Sequence, residues 1–300
     1  MMRILVTGTS GQVGFELMRA CQPLGDVTGV DFPVLDLSQH DELRSYLNAT
    51  PADVIVNPAA YTAVDKAESD EALAHAINGT AVEIMAEHAR AKGALLIHYS
   101  TDYVFDGAKN SPYLPDDEPG PLSAYGRTKL AGERALAASG CDYLCLRTSW
   151  VYASRGRNFL KTMLKLAQER EELRVVADQI GAPTPARLLA DVTAQIIGRA
   201  QRERQCRSFR SELLQVTTTG ATSWYGFAAA IVEQAARRGI PIKAKTITPI
   251  RTEEYPTPAR RPLNSRLDCQ RIRQRYDLML PDWVHSLGLC LDEIEGVRTS

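Results

Sequence analysis

The 300-residue chain balances 35 Lys and Arg against 36 Asp and Glu, a formal net charge of -1, which argues against a nucleic-acid or anionic-membrane partner and points to a small molecule. Its length allows two lobes that share one cleft. The six cysteines (Cys21, Cys141, Cys145, Cys206, Cys269 and Cys290) form no CxxC pair and the five histidines no HExxH motif, so no metal is expected and the thiols read as reduced ones in a cytoplasmic protein. The start, MMRILVTGTSG, reaches a glycine too soon for a signal peptide, and no run of about 18 apolar residues suggests a membrane span.

Residues 2–150 alternate short β-branched runs with helix-like segments, which predicts an α/β fold built on a doubly wound parallel (Rossmann) sheet. Strands are expected over 3–7, 27–31, 53–57, 94–100 and 143–148. Helices are expected near 12–22, 39–48, 70–92 and 123–138, the last capped by Ser123. The stretch 106–122, rich in Pro, Gly, Asp and Asn, reads as a long ordered loop at the sheet's carboxyl edge. Beyond Trp150 the pattern suggests a smaller α/β lobe, with helices over 158–171 and 186–200 and another from Ser223. Strands fall near 173–177 and 213–218, 202–212 reads as a solvated connection, and a Pro/Arg-rich segment spans 252–266. Residues 1–150 are thus expected to bind a dinucleotide and 151–300 mainly the substrate, with 173–177 and 213–218 able to return to the first sheet.

Strand 3–7 runs into Gly8, Thr9, Ser10, Gly11, Gln12, Val13 and Gly14, a GxxGxxG sequence between strand and helix. Glycines there let the turn tighten and the backbone approach a pyrophosphate at the helix amino terminus. The second strand ends in Asp31, about twenty residues on, where a carboxylate accepts from ribose hydroxyls and favours NADH over a 2′-phosphate. Asp36 and Leu37 are placed to flank the adenine, or else to start a helix.

The fourth strand ends in Ser100, Thr101, Asp102 and Tyr103, and ligands of a doubly wound sheet bind beyond the strands' carboxyl ends. Thr101 is suited to hydrogen-bond a substrate carbonyl. Tyr125 and Lys129 form a YxxxK whose spacing stacks both side chains on one helix face. A phenol with an ordinary pKa near 10 is a poor proton shuttle, and an adjacent ammonium stabilises its phenolate. Tyr125 is therefore the expected proton donor, with Lys129 supporting it and holding the nicotinamide ribose.

Together these residues make the sequence resemble the extended short-chain dehydrogenase/reductase superfamily and, within it, the dTDP-4-dehydrorhamnose reductases. The resembling blocks span nearly the whole chain: TGTSGQVG (7–14), DVIVNPAAYTAVDKAE (53–68), IHYSTDYVFDG (97–107), YGRTKLAGE (125–133), RTSWVYA (147–153), GAPT (181–184) and YPTPARRPLNSRLD (255–268). The resemblance implies reduction of the 4-keto group of a dTDP-6-deoxy-L-hexulose by NADPH or NADH, in nucleotide-sugar and cell-surface polysaccharide biosynthesis. It puts Gly11, Gln12, Val13, Asp31, Asp36, Leu37, Ala60, Tyr61 and Thr62 against the cofactor. Thr101, Asp102, Tyr125 and Trp150 meet the sugar nucleotide, with Asn158 and Arg261 on its diphosphate. For those last two, helix capping and a surface ion pair are the alternatives.

Nucleotide-sugar dehydratases similar to this family carry Asp-Glu after the strand-end Thr as acid and base. Here Tyr103 follows Asp102, so elimination lacks its base and simple reduction is expected. A related epimerase or an NAD(P)-binding regulatory subunit are the competing functions. Some family members dimerise through magnesium held by glutamates, one in the helix after GAPT. The matching position here is Arg187, leaving Glu16 and Glu293, so neither magnesium nor that dimer is expected; a monomer and a homodimer both stay open.

Overall fold

The computed structural model describes residues 1–294, so residues 295–300 of the second lobe lie outside the described residues. The amino-terminal lobe follows in order β1 (Met2–Thr7), α1 (Gln12–Ala20), β2 (Gly25–Val30), α2 (His40–Ala49), β3 (Val54–Asn57), α3 (Val64–Ala67), α4 (Glu71–His75), α5 (Ala81–Lys92), β4 (Leu95–Thr101), α6 (Ala124–Ser139) and β5 (Asp142–Thr148). The remaining elements are β6 (Val151–Tyr152), α7 (Phe159–Glu169), β7 (Glu172–Val176), β8 (Ile180–Gly181), β9 (Thr184–Pro185), α8 (Ala186–Gln205), β10 (Glu212–Gln215), β11 (Thr222–Ser223), α9 (Trp224–Arg237), β12 (Thr246–Ile250), α10 (Gln270–Tyr276) and α11 (Trp283–Asp292).

Six strands form the main sheet in the order β10-β5-β4-β3-β1-β2, and every pairing in it is parallel. Strand side chains alternate between faces, and here both faces are covered. Ile4, Val6, Val54, Val56, Leu95 and Ile97 share one core with Leu189 and Ile196 of α8. Leu5, Ile55, Leu96 and Cys145 pack on the other side with α2 and α5. Each fully buried aliphatic side chain contributes roughly 1.5–3 kcal/mol, which keeps the all-apolar start of β4 in the sheet interior.

The segment near 173–177 does not return to this sheet. It is β7, which pairs in parallel with β12 in the second lobe, where Leu173 and Val175 join Phe227 and Leu287 in a separate core. The segment near 213–218 contributes β10, paired with β5. Helix α8 runs through Gln205, into the stretch expected to be a connection, because Arg204 ties it to Asp142 at 2.7 Å and to the Gly93 carbonyl at 2.6 Å. The expected helix over 70–92 is interrupted by a π-helical turn at Ala76–Thr80. Its Asn78 is buried, bonding both the backbone of Tyr61 and the hydroxyl of Thr128.

Candidate active site

At the carboxyl edge of the sheet, β1 hands Thr7 directly to the glycine loop. Gly8 has φ +61°, and a Cβ on Gly14 would stand 2.0 Å from the Gly8 carbonyl oxygen, so this strand-to-helix turn closes only with glycine. No side chain caps α1, which leaves its first N–H groups open to an anion. Asp31, just past β2, accepts from the Ser10 N–H at 2.6 Å and the Phe32 N–H at 2.8 Å. Its carboxylate is thereby fixed beside the loop. A cavity of about 660 Å³ starts here and is walled by Gly8, Gly11, Gln12, Val13, Gly14 and Asp31, then by Ala60 and Thr62.

Asp36, Leu37 and Tyr61 do not line that cavity. The Asp36 carboxylate accepts from the Ser38 N–H and hydroxyl in a local turn, and Leu37 packs into the core with Leu35 and Leu43. Tyr61 bonds Asn78 through its backbone and Asp70 through its hydroxyl, 3.3 Å away.

The same cavity continues to Thr101, Asp102, Tyr125, Lys129 and Trp150. Ser123 caps α6 by accepting from the Gly126 N–H at 3.2 Å, which sets Tyr125 in the first turn and Lys129 one turn later. A Cβ on Gly126 would meet the Tyr103 carbonyl oxygen at 2.2 Å. Glycine therefore lets α6 lie against the chain leaving β4, bringing Tyr125 and Thr101 to the wall of one cavity. Thr101 in turn donates to Asp102 Oδ1 at 3.1 Å and accepts from the Tyr103 N–H at 3.2 Å.

Burial governs the protonation of this group. It pushes Tyr125 up to about 12, with the Thr101 hydrogen bond lowering and the Asp102 carboxylate raising it. Asp102 is pushed up to about 6, again by burial, against hydrogen bonds from Ser265 and Thr101. Lys129 is lowered to about 8 by the same loss of water. Lys129 is expected from the YxxxK spacing to lower the Tyr125 pKa, but desolvation dominates at the phenol. The ammonium faces β4 instead, donating to the Tyr99 carbonyl at 2.6 Å and lying 3.1 Å from His98 Nε2.

Three buried polar atoms on this wall, Ser100 Oγ, Asp102 Oδ2 and Thr148 Oγ1, have no hydrogen-bond partner. Unpaired buried polar groups are costly, and all three residues line the first cavity. Ser100 and Thr148 were not singled out from sequence, although strand-end position was a signal for both.

Trp150, held at φ 49°, stacks on Trp224 with ring centroids 3.6 Å apart. Trp224 also donates to Gln179 Oε1 at 3.1 Å. It lines both the first cavity and a second one of about 650 Å³, whose wall includes Phe159, Gln179, Tyr255, Thr257 and Arg261. Arg261 reaches this second space while bonded to Asp65 Oδ2 at 2.8 Å. Asn158 lines neither cavity. Its Oδ1 caps α7 by accepting from the Lys161 N–H, and its Nδ2 donates to Gln12 Oε1 at 2.8 Å and to the Ala153 carbonyl. A larger cavity of about 890 Å³, near Thr217, Cys269 and Met279, contains none of the catalytic candidates.

The family model described as "RmlD substrate binding domain" matches residues 2–295. A curated dTDP-4-dehydrorhamnose reductase from Burkholderia thailandensis is 49% identical, covering 98% of this chain and 99% of that protein. The chain belongs to the dTDP-4-dehydrorhamnose reductase family. Among solved structures, the dTDP-4-dehydrorhamnose reductase of Clostridium acetobutylicum superposes with a TM-score of 0.86 at 35% identity, covering 97% of this chain and 99% of that one. The enzyme of Bacillus anthracis, solved in complex with NADP, gives a TM-score of 0.86 at 33% identity over 97% and 99%.

In this member of the dTDP-4-dehydrorhamnose reductase family, Arg187 sits between two carboxylates. Its Nε lies 3.2 Å from Glu16 Oε2 and its other arm contacts Glu293. Glu16 is buried and is also held by Arg19 at 3.1 Å. A guanidinium thus occupies the space between these acids. Among the described residues no helix is long and apolar enough to cross a membrane.

Proposed function

We propose that this chain reduces the 4-keto group of dTDP-4-dehydro-L-rhamnose to dTDP-L-rhamnose, with NADPH or NADH as reductant. The observation that carries this reading is the convergence of Thr101, Tyr125 and Lys129 on one cavity that begins at the glycine loop and Asp31. The loop fits a dinucleotide: its glycine contacts leave no room for side chains, its helix terminus is uncapped, and a fixed carboxylate stands beside it. The bound nicotinamide supplies the hydride that reaches the substrate carbon.

The residues of the chain do the rest. Thr101 orients the carbonyl oxygen, and Tyr125 gives its proton to that oxygen as the carbon is reduced, becoming a phenolate that regains a proton from solvent. Lys129, one helical turn away on the same cavity wall, holds the nicotinamide ribose, and its positive charge favours the phenolate once the ammonium swings from β4 toward the bound ligand. Asp102 and Trp150 border the sugar. The amino-terminal lobe carries the dinucleotide and the second lobe carries the nucleotide end of the substrate, where Arg261 offers a guanidinium to the diphosphate.

Asn158 acts by holding Gln12 of the glycine loop to α7 and so sets how the lobes meet. Tyr103 after Asp102 leaves no second carboxylate for elimination. The test is direct: purified chain, the 4-keto sugar nucleotide and either reduced cofactor should lose nicotinamide absorbance and yield dTDP-L-rhamnose. Absence of oxidation with both cofactors would refute the reading.

A further inference from the structure

Strand alternation puts Thr7, Asn57 and His98 on the sheet face that packs against α6, at the carboxyl ends of β1, β3 and β4. Thr7 Oγ1 lies 2.6 Å from Asn57 Oδ1, and Asn57 Nδ2 lies 3.1 Å from His98 Nδ1. His98 Nε2 then lies 3.1 Å from Lys129 Nζ. All four residues are almost wholly buried, and the row ends on the residue before Gly8. A buried polar chain of this kind is stable only when every donor meets an acceptor.

We propose that His98 is a positioning residue for Lys129, accepting a hydrogen bond from its ammonium through Nε2, and that the Asn57 amide turns to match the protonation of the lysine. The proposal rests on the catalytic reading of Lys129 given above. An ammonium has only donors, so Nε2 must be bare and the single imidazole proton must sit on Nδ1. A half-turn of the Asn57 amide from the orientation given above then presents Oδ1 to that proton and Nδ2 to Thr7 Oγ1. The amide orientation seen here, with Nδ2 toward Nδ1, goes with the proton on Nε2, which then donates to a neutral amine. The two arrangements differ by one proton on Nζ, and His98 keeps one proton in both.

Burial holds His98 neutral, well below its ordinary pKa, so it serves as an acceptor and not as a competing cation. The other groups facing Nζ are the Tyr99 carbonyl on β4, Cys145 on β5 and Glu133 on α6. Glu133 is itself bound by Arg147 at 2.6 and 2.8 Å. Besides the Tyr99 carbonyl, His98 Nε2 is thus the acceptor in direct contact with the ammonium.

Glutamine places its terminal amide near Nε2 of a histidine, whereas asparagine reaches only the Nδ1 position. His98→Gln should keep turnover within about threefold and leave the basic limb of the pH profile in place. His98→Asn should move that limb about one unit to lower pH, a roughly tenfold loss of turnover where the wild-type limb lies, with cofactor affinity retained. Identical pH profiles for His98→Asn and wild type, or indistinguishable behaviour of the two variants, would overturn the proposal. Nitrogen NMR of the unaltered protein supplies a readout free of folding effects and of turnover: below the basic limb His98 should be the Nδ1–H tautomer, and an Nε2–H signal there overturns it. Full turnover in Tyr125→Phe would refute the catalytic reading separately, leaving the tautomer measurement to stand on its own.

Discussion

Trp150 and Trp224 stack with their ring planes only 11° apart, and the second of these rings forms a wall common to both cavities. The contact couples the chain just after β5 to the first residue of α9, and so joins the lobes at the wall between the two cavities. Aromatic pairs contribute about 0.5–1.5 kcal/mol beyond the area they bury. Trp224→Ala should therefore lower kcat/KM for the sugar nucleotide roughly tenfold while cofactor affinity stays close to wild type. Steady-state kinetics with each substrate varied in turn separates the two, and an equal loss on both sides would contradict this role.

Tyr125→Phe keeps the ring that packs edge-on against Tyr103 at 5.6 Å and removes only the proton. Turnover should fall by roughly two orders of magnitude or more, with cofactor binding, followed by fluorescence, unchanged. Wild-type turnover in this variant would show that another group protonates the oxygen.

Asp31 is held beside the phosphate loop by two backbone N–H groups, so it cannot swing away from a 2′-phosphate. Repulsion of about 1–4 kcal/mol is expected for like charges about 4 Å apart, depending on the local dielectric. NADH should bind at least about tenfold more tightly than NADPH, and Asp31→Ser should narrow the gap mainly by weakening NADH. Calorimetric titration of both cofactors decides it. Equal affinities in the wild type would mean that the carboxylate does not meet the ribose.

Asp102 carries a stability signature. Its carboxyl is pushed from the ordinary 3.8 up to about 6 by burial, so the folded chain holds this proton more tightly than the unfolded chain. Stability from this group is lost as pH rises from about 4 through about 6, and the cost, up to about 3 kcal/mol, persists in full above that. Asp102→Asn should remove the slope, so that the variant gains on wild type between pH ~4 and ~7 in urea unfolding. Parallel curves for the two proteins would exclude the assignment.

Arg187 neutralises Glu16 and Glu293 from one guanidinium. Replacing it with alanine leaves buried Glu16 with Arg19 alone, and should cost about 1–3 kcal/mol of stability. In the wild type, magnesium or a chelator should change neither melting temperature nor turnover. A stabilising response to magnesium would mean that the acids bind a cation despite the arginine.

The parts of the site that were legible from sequence are those fixed by local spacing. GxxGxxG between a strand and a helix, Ser123 as a cap, and Tyr125 one turn from Lys129 need no knowledge of distant chain. What spacing leaves open is where a long side chain bends: the lysine shares a face with Tyr125, yet its ammonium reaches across to β4. Asn158 had both readings available, and the cap engages its amide. Leu37 and Tyr61 flank correctly placed segments, but their own side chains face core and neighbouring helix. The Arg261–Asp65 pair joins positions 196 residues apart, and no periodicity records such a meeting. β7 read as a candidate for the main sheet because its apolar alternation is the same as any strand's; only its partner, β12, distinguishes it.

The row from Thr7 to His98 has a consequence for folding. Apolar strands are forgiving, since a Val or Ile displaced along its neighbour still finds hydrocarbon to touch. A one-residue slip of β3 turns Asn57 to the opposite face and leaves the Thr7 hydroxyl and His98 Nδ1 without their buried partner, each costing about 1–3 kcal/mol. The row therefore acts as a gauge: it closes only when three strands agree on their alignment, and a misaligned sheet is penalised at the place where Lys129 is mounted.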